Sequence, residues 1–178
     1  MTQPETVHAT HAAVHSLIAR LGDRDIKVRE HARRDLVHRG EPAVAPLIEA
    51  LAHPNGNVRW EAAKALGELR DPAAAPALVA TLEDRRFDVR WLAAEALIAL
   101  GPAGVPALLR ALQSAPWDAQ WLRQGAHHVL RVLAAQDDLH YLHDPLAQVV
   151  AALEGAEPAV GVPGAAYNAL MAVRRTQQ

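Results

Sequence analysis

The 178-residue chain is 51% hydrophobic and 21% charged, a globular balance that excludes wholesale disorder. Only 4% of it is aromatic and its apolar share is mostly Ala and Leu, which suits close-packed helices and gives almost no strand signal. A formal net charge of −2 withholds the basic excess that non-specific phosphate binding needs, and the lack of cysteine excludes disulfide and thiolate chemistry and fits a reducing, cytoplasmic setting.

From the N-terminus, residues 1–10 read as a flexible segment ahead of a single domain over 11–175, with 176–178 a flexible C-terminus. The start lacks the positively charged and apolar regions of an export signal, and no apolar run is read as long enough to span a membrane. Val14 to Leu21 reads as a lone second helix opening a stack, with Leu17 and Leu21 in the places that Leu47 and Leu51 take later.

The stack itself is an internal repeat. Val28-Arg29-Glu30-His31-Ala32 through Leu36, Val58-Arg59-Trp60-Glu61-Ala62 through Leu66, and Val89-Arg90-Trp91-Leu92-Ala93 through Leu97 superpose directly, with a degenerate fourth copy at Leu122 to Leu130. The arginines recur at spacings of 30, 31 and 33 residues. Val, Ala and Leu stand four apart in each copy and form one apolar stripe on a helix, and the Ala at its centre lets neighbouring helices approach closely. Each of the first three copies is followed by a Gly- or Pro-containing break and a second apolar segment led by Pro46, Pro76 or Pro106, where a missing N–H costs little. Gly164 to Val173 reads as a first helix without its partner. The expected fold is all-α, a right-handed α-α superhelix of about four helix pairs with half-repeat caps, in which the Val-Arg helices form the concave face.

The pattern Val-Arg-x-x-Ala-Ala-x-Ala-Leu-Gly at Val58 to Gly67, with the turn at Asp71-Pro72, resembles the short HEAT repeats of phycobilisome-lyase-type proteins and of designed alpha-helical repeat proteins. The resemblance covers roughly residues 14 to 174 and weakens in the first copy, where Arg33 and Asp35 replace alanines, and in the fourth. It implies that Arg29, Arg59, Arg90 and Arg123 form a structural ladder by pairing with carboxylates near the turns, with Asp25, Asp84 and Asp88 available. It also implies an outward, concave surface that includes His31, Arg34, Trp60, Glu61, Lys64, Glu68, Trp91, Leu92, Glu95 and His128. Trp60 and Trp91 hold equivalent places on adjacent units, expected ~10 Å apart, where exposed indoles make good binding hot spots.

A non-catalytic scaffold that binds a protein or peptide follows, with Trp60, Trp91 and Leu92 at the centre and Glu61, Lys64, Glu68, Glu95 and Arg34 as a charged rim. No cofactor is expected, and the oligomeric state is open. His8, His11 and His15 share a helical face but fall in a terminal segment. His140, His143 and Asp144 lie in the link that lengthens the fourth unit, where two His and one Asp without fixed geometry do not make a metal site. Two alternatives stand beside the scaffold. A nucleic-acid protein of the alkylpurine-glycosylase-like type would use the tryptophans to stack on bases, but Glu61, Glu68 and Glu95 would repel phosphates. A lyase or cofactor-chaperone role shares the repeat type, though nothing in the sequence marks a tetrapyrrole pocket. The His-Glu pairs of HEAT-type di-iron hydroxylases do not occur.

Overall fold

The structure, a computed structural model, describes residues 3–136 and 142–176, with side chains over 12–136 and 142–175. Ten helices follow in these stretches: α1 Gln3–Arg20, α2 Ile26–Arg39, α3 Val44–Ala50, α4 Gly56–Leu69, α5 Ala75–Thr81, α6 Phe87–Leu100, α7 Val105–Gln113, α8 Gln120–Ala134, α9 His143–Glu154 and α10 Pro158–Thr176. The Val-Arg helices α2, α4, α6 and α8 stack on one another as a first layer, and α1, α3, α5 and α7 lie behind them as a second. Helix α1 begins at Gln3 rather than Val14, so regular backbone runs through most of the segment expected to be flexible. Pro4 falls in its first turn, where it is tolerated.

The apolar stripes are buried apart from Val28, which is half-buried. Ala32 and Leu36, Val58, Ala62 and Leu66, Val89, Ala93 and Leu97, and Leu122, Ala126 and Leu130 belong to the core with Leu17, Leu21, Leu47, Leu78, Leu82, Leu108 and Leu112 of the second layer. Asp25 caps α2 by accepting from the Lys27 amide at 2.8 Å, and Asn55 caps α4 by accepting from the Asn57 amide at 2.9 Å. Helix α8 has no cap of its own. Glu83, from the preceding unit, accepts from the Leu122 amide at 2.7 Å and fills that role.

Each of α2, α4 and α6 ends on a residue of positive φ, Gly40, Arg70 and Gly101 at equivalent places, before a 3-10 turn leads into the next helix. Arg70 sits in the left-handed region at φ 55 and ψ 30, where a Cβ is disfavoured. Arg70→Gly is therefore expected to raise stability by up to about 1 kcal/mol, read from the urea midpoint at unchanged m-value.

Two expectations are corrected. Phe87–Gln113 is, by length and composition, apolar enough to cross a membrane, contrary to the sequence reading. In the fold it is two helices, α6 and α7, that reverse at Gly101–Gly104 with half of the apolar window buried against the rest of the solenoid. At the other end, Gly164–Val173 does not extend the first layer. Helix α9 lies alongside α8, and α10 packs on α9 and on α7 of the second layer, burying Val162, Ala166, Ala169, Leu170 and Val173. The last two helices have thus exchanged the layers expected of them. The long connection from Ala134 to His143 gives the chain the reach to do so.

Candidate partner-binding surface

The four recurring arginines share one geometry, in which the guanidinium turns back to the loop before its own helix and donates to main-chain carbonyls. Arg29 donates to Asp23 and Arg24, Arg59 to His53 and Pro54 at 2.8 and 3.1 Å, Arg90 to Asp84 at 2.8 Å, and Arg123 to Pro116 and Trp117. These bonds satisfy acceptors of a tight turn that has no regular partners. The expected carboxylate partner is thus mostly a carbonyl. Only Arg59 also makes a bidentate pair, with Asp84 of the following unit at 2.5 and 3.0 Å. Asp25 serves instead as a helix cap, and Asp88 pairs with Arg86 at 2.6 Å.

Burial pushes the Asp84 carboxyl up, but hydrogen bonds from Arg59 and the Arg86 amide, with the charges of Arg59 and Arg85, bring it below its ordinary 3.8. A carboxyl depressed by folding stabilises the fold above its unfolded value and loses that contribution as pH falls through its folded one. Asp84→Asn is accordingly expected to destabilise near neutrality, with the gap to the parent narrowing as pH falls below about 4, in urea titrations at stepped pH.

Between α2 and α4 the structure corrects the place of Glu61. Expected on the outward rim, it is 2% exposed and sits between Arg29 Nε at 3.4 Å and Arg33 Nε at 3.1 Å. Arg33 is itself buried and also pairs with Glu68. The cluster forms the inner wall of a hollow of about 380 Å³ that Trp60, Lys64 and Asn57 also line, and the Lys64 ammonium lies 5.1 Å from the centre of the Trp60 ring.

Trp91 lines a different hollow from Trp60, between α6 and α8. It is 47% exposed and stacks on His128 at 4.9 Å between ring centres and on Phe87 at 6.5 Å. His128 Nε2 lies 3.0 Å from Glu95 Oε1, which fixes the imidazole against the indole. Beside this stack the Arg90 guanidinium lies between Phe87, at 5.6 Å, and Trp121, at 4.4 Å. Phe87 and Trp121 are 65% and 41% exposed, and Trp117, on the far side of α8, is 81% exposed.

The hollow exists because of the repeat register. In the first step of the stack Arg33 faces Glu61, in the second Ala63 lies beside Leu92, and in the third Ala94 lies beside Gly125. The third pair has almost no side chain, so its place stays open and Leu82 shows through as the floor. A Cβ on Gly125 would come within 2.8 Å of Leu82 Cδ2, so a larger residue there would require the Leu82 side chain to shift.

The remaining outward residues are spread along the face. Leu92, Glu95, Lys64 and Glu68 border a shallow groove between α4 and α6. Arg34 reaches Glu30 at 3.9 Å along its own helix, and His31 Nδ1 lies 2.7 Å from the Lys27 carbonyl. His143 and Asp144 open α9 and are exposed, whereas His140 and the side chains of His8 and His11 lie outside the described residues. Among the described residues no three His, Asp or Glu side chains converge. The sequence reading passed over Phe87, Trp117 and Trp121. Trp121 directly precedes the fourth Leu-Arg pair, a place outside the aligned motif, though four tryptophans in so aromatic-poor a chain were a signal in themselves.

Residues 14–98 and 44–131 match the family model for HEAT repeats. No curated protein matches the sequence. Among solved structures, a chain from the complex of CpcE and CpcF of phycocyanin lyase from Nostoc sp. PCC7120 is 26% identical, with a TM-score of 0.57 over 89% of this chain and 98% of that one. Two crystal structures of engineered proteins are similar at 22% and 21% identity, with TM-scores of 0.44 and 0.43. Both alignments cover 90% of this chain, and they cover 78% and 47% of the engineered ones.

Proposed function

The chain belongs to the HEAT-repeat family, and from that premise we propose that it is a non-catalytic scaffold which holds another protein, or a peptide segment of one, on the face made by α6 and α8. The observation that carries this reading is the solvent-exposed array of Phe87, Trp91, Trp121 and His128 around an open hollow. Indoles combine large apolar area with a hydrogen-bond donor, and rings already braced by neighbours lose little freedom on binding. The similarity to a chain solved in a complex with another protein supports a role in company rather than alone. Trp60, Lys64, Glu68, Leu92, Glu95, Arg34 and His31 then form the longer flank along which a large partner extends its contacts.

Selection from a random-sequence peptide library on the full chain tests this reading. Selected peptides should bind Trp91→Ala at least about 30-fold more weakly, the effect of losing one hot spot of about 2 kcal/mol, with an unchanged melting curve because half of the ring is in water. Peptides that bind parent and variant alike would place the site elsewhere. A pigment that co-purifies with the chain would replace the scaffold by a carrier or lyase role.

A further inference from the structure

We infer that the occupant of the α6/α8 hollow is an acidic peptide segment carrying one bulky apolar side chain, an inference that rests on the scaffold reading and specifies its ligand. The size of the site is the first argument. At about 220 Å³, with Leu82, Ala94 and Gly125 as its floor, it is smaller than the roughly 300–1,000 Å³ typical of cofactor and drug-sized pockets. It offers room for a single anchoring side chain between Trp91 and Trp121.

Charge supplies the rest. Arg90 lies over the faces of Phe87 and Trp121 and uses one N–H on the Asp84 carbonyl, and among the described residues no carboxylate lies within ion-pair distance of it. The acids of this region are engaged elsewhere, Glu83 by the Leu122 amide, Asp84 by Arg59, Asp88 by Arg86, Glu95 by His128 and Glu154 by His127. A guanidinium stacked on aromatic faces presents its edge, the side that takes a carboxylate through two parallel hydrogen bonds. Across α8, Arg123 likewise bonds only to main-chain carbonyls, beside the exposed Trp117 and in a second hollow that shares Gln124 and His127 with the first. One guanidinium without a carboxylate partner therefore lines the slot, and a second lies in the adjoining hollow. A nucleic-acid strand would need a continuous basic track, and here Glu95, Glu154 and Asp118 interrupt it.

The probes are the peptides selected from the random library, the same peptides with every glutamate and aspartate changed to glutamine and asparagine, and a short oligothymidylate. Selected sequences should place acids beside a Phe, Trp or Leu, and the amidated forms should bind about tenfold more weakly or worse, as expected for loss of a charge-assisted hydrogen bond. That preference should collapse in Arg90→Gln and be partly kept in Arg90→Lys. The peptide comparison is made on the parent protein, so it stands even if an Arg90 variant fails to fold. Peptides without acids, or equal binding of acidic and amidated forms, overturn the inference while leaving the scaffold reading intact. If no peptide is selected, or only the oligothymidylate binds, both fall.

Discussion

Glu61→Leu is expected to cost the fold about 3 kcal/mol or more, the penalty for removing one partner from a buried ionic cluster. The carboxylate is shared by Arg29 and Arg33, so its loss leaves Arg33 with only the partly exposed Glu68 and Arg29 with only its turn carbonyls. For a chain of this length the melting point should fall by roughly 2–4 °C for each kcal/mol. The repeat supplies its own control. At the equivalent places the second and third units pack Ala63 beside Leu92, with no charge at all. The double variant Arg33→Ala with Glu61→Leu therefore recreates an arrangement the protein already uses one step along, and it should be more stable than Glu61→Leu alone. Denaturant melts of the three proteins decide the matter. A single variant within about 1 kcal/mol of the parent, or a double variant that is worse than the single, would show that the cluster is not held by mutual compensation.

That cluster marks the boundary of what the sequence discloses. The solenoid is legible because a period of about thirty residues and a Val-Ala-Leu stripe are properties of one segment at a time, and close packing of small residues turns them directly into stacked helices. What lies between units depends on register, on which residue of one helix meets which of the next, and no single copy contains that information. Glu61 looked outward because Leu92 and His31 occupy the same place, but its environment is decided by Arg33, the residue that faces it from α2. Trp60 and Trp91 are equivalent by alignment, yet one borders the hollow beside α2 and the other the hollow beside α8, where Gly125 stands at the place that Leu92 takes in the preceding step. The exchange of layers by α9 and α10 was hidden for a related reason. A repeat pattern extrapolates the last unit from those before it, and the long link to His143 releases the chain from that rule.

Register also makes the four arginines unequal, and Arg59→Met should show it with a loss of about 3–5 kcal/mol. Arg59 is buried, bonds to two turn carbonyls and forms the bidentate pair with Asp84, so methionine removes a donor from each and strands a buried carboxylate. Arg123→Met removes only donors to the Pro116 and Trp117 carbonyls, in a turn that water can reach, and is expected to cost about 1 kcal/mol. Arg59→Lys should fall between, since a single ammonium keeps the charge but cannot reach the carbonyls and both carboxylate oxygens from one plane. The same substitutions act on Asp84 in a way that a generic loss of packing would not. Without Arg59 its burial is no longer offset by that side chain, so its carboxyl should titrate at higher pH in Arg59→Met, in carbon-detected NMR of the side chain, and remain at its parent value in Arg123→Met. Equal losses from Arg59→Met and Arg123→Met, with Asp84 unmoved in both, would mean that the ladder is a set of interchangeable turn caps and that the Asp84 pair contributes nothing of its own. Unequal losses with Asp84 displaced would instead place the strongest link of the stack between α4 and the turn before α6, directly behind the hollow that carries Arg90, whose own guanidinium holds the Asp84 carbonyl. The rigidity of the proposed binding face would then derive from the one rung in which the repeat's arginine has acquired a bidentate carboxylate partner.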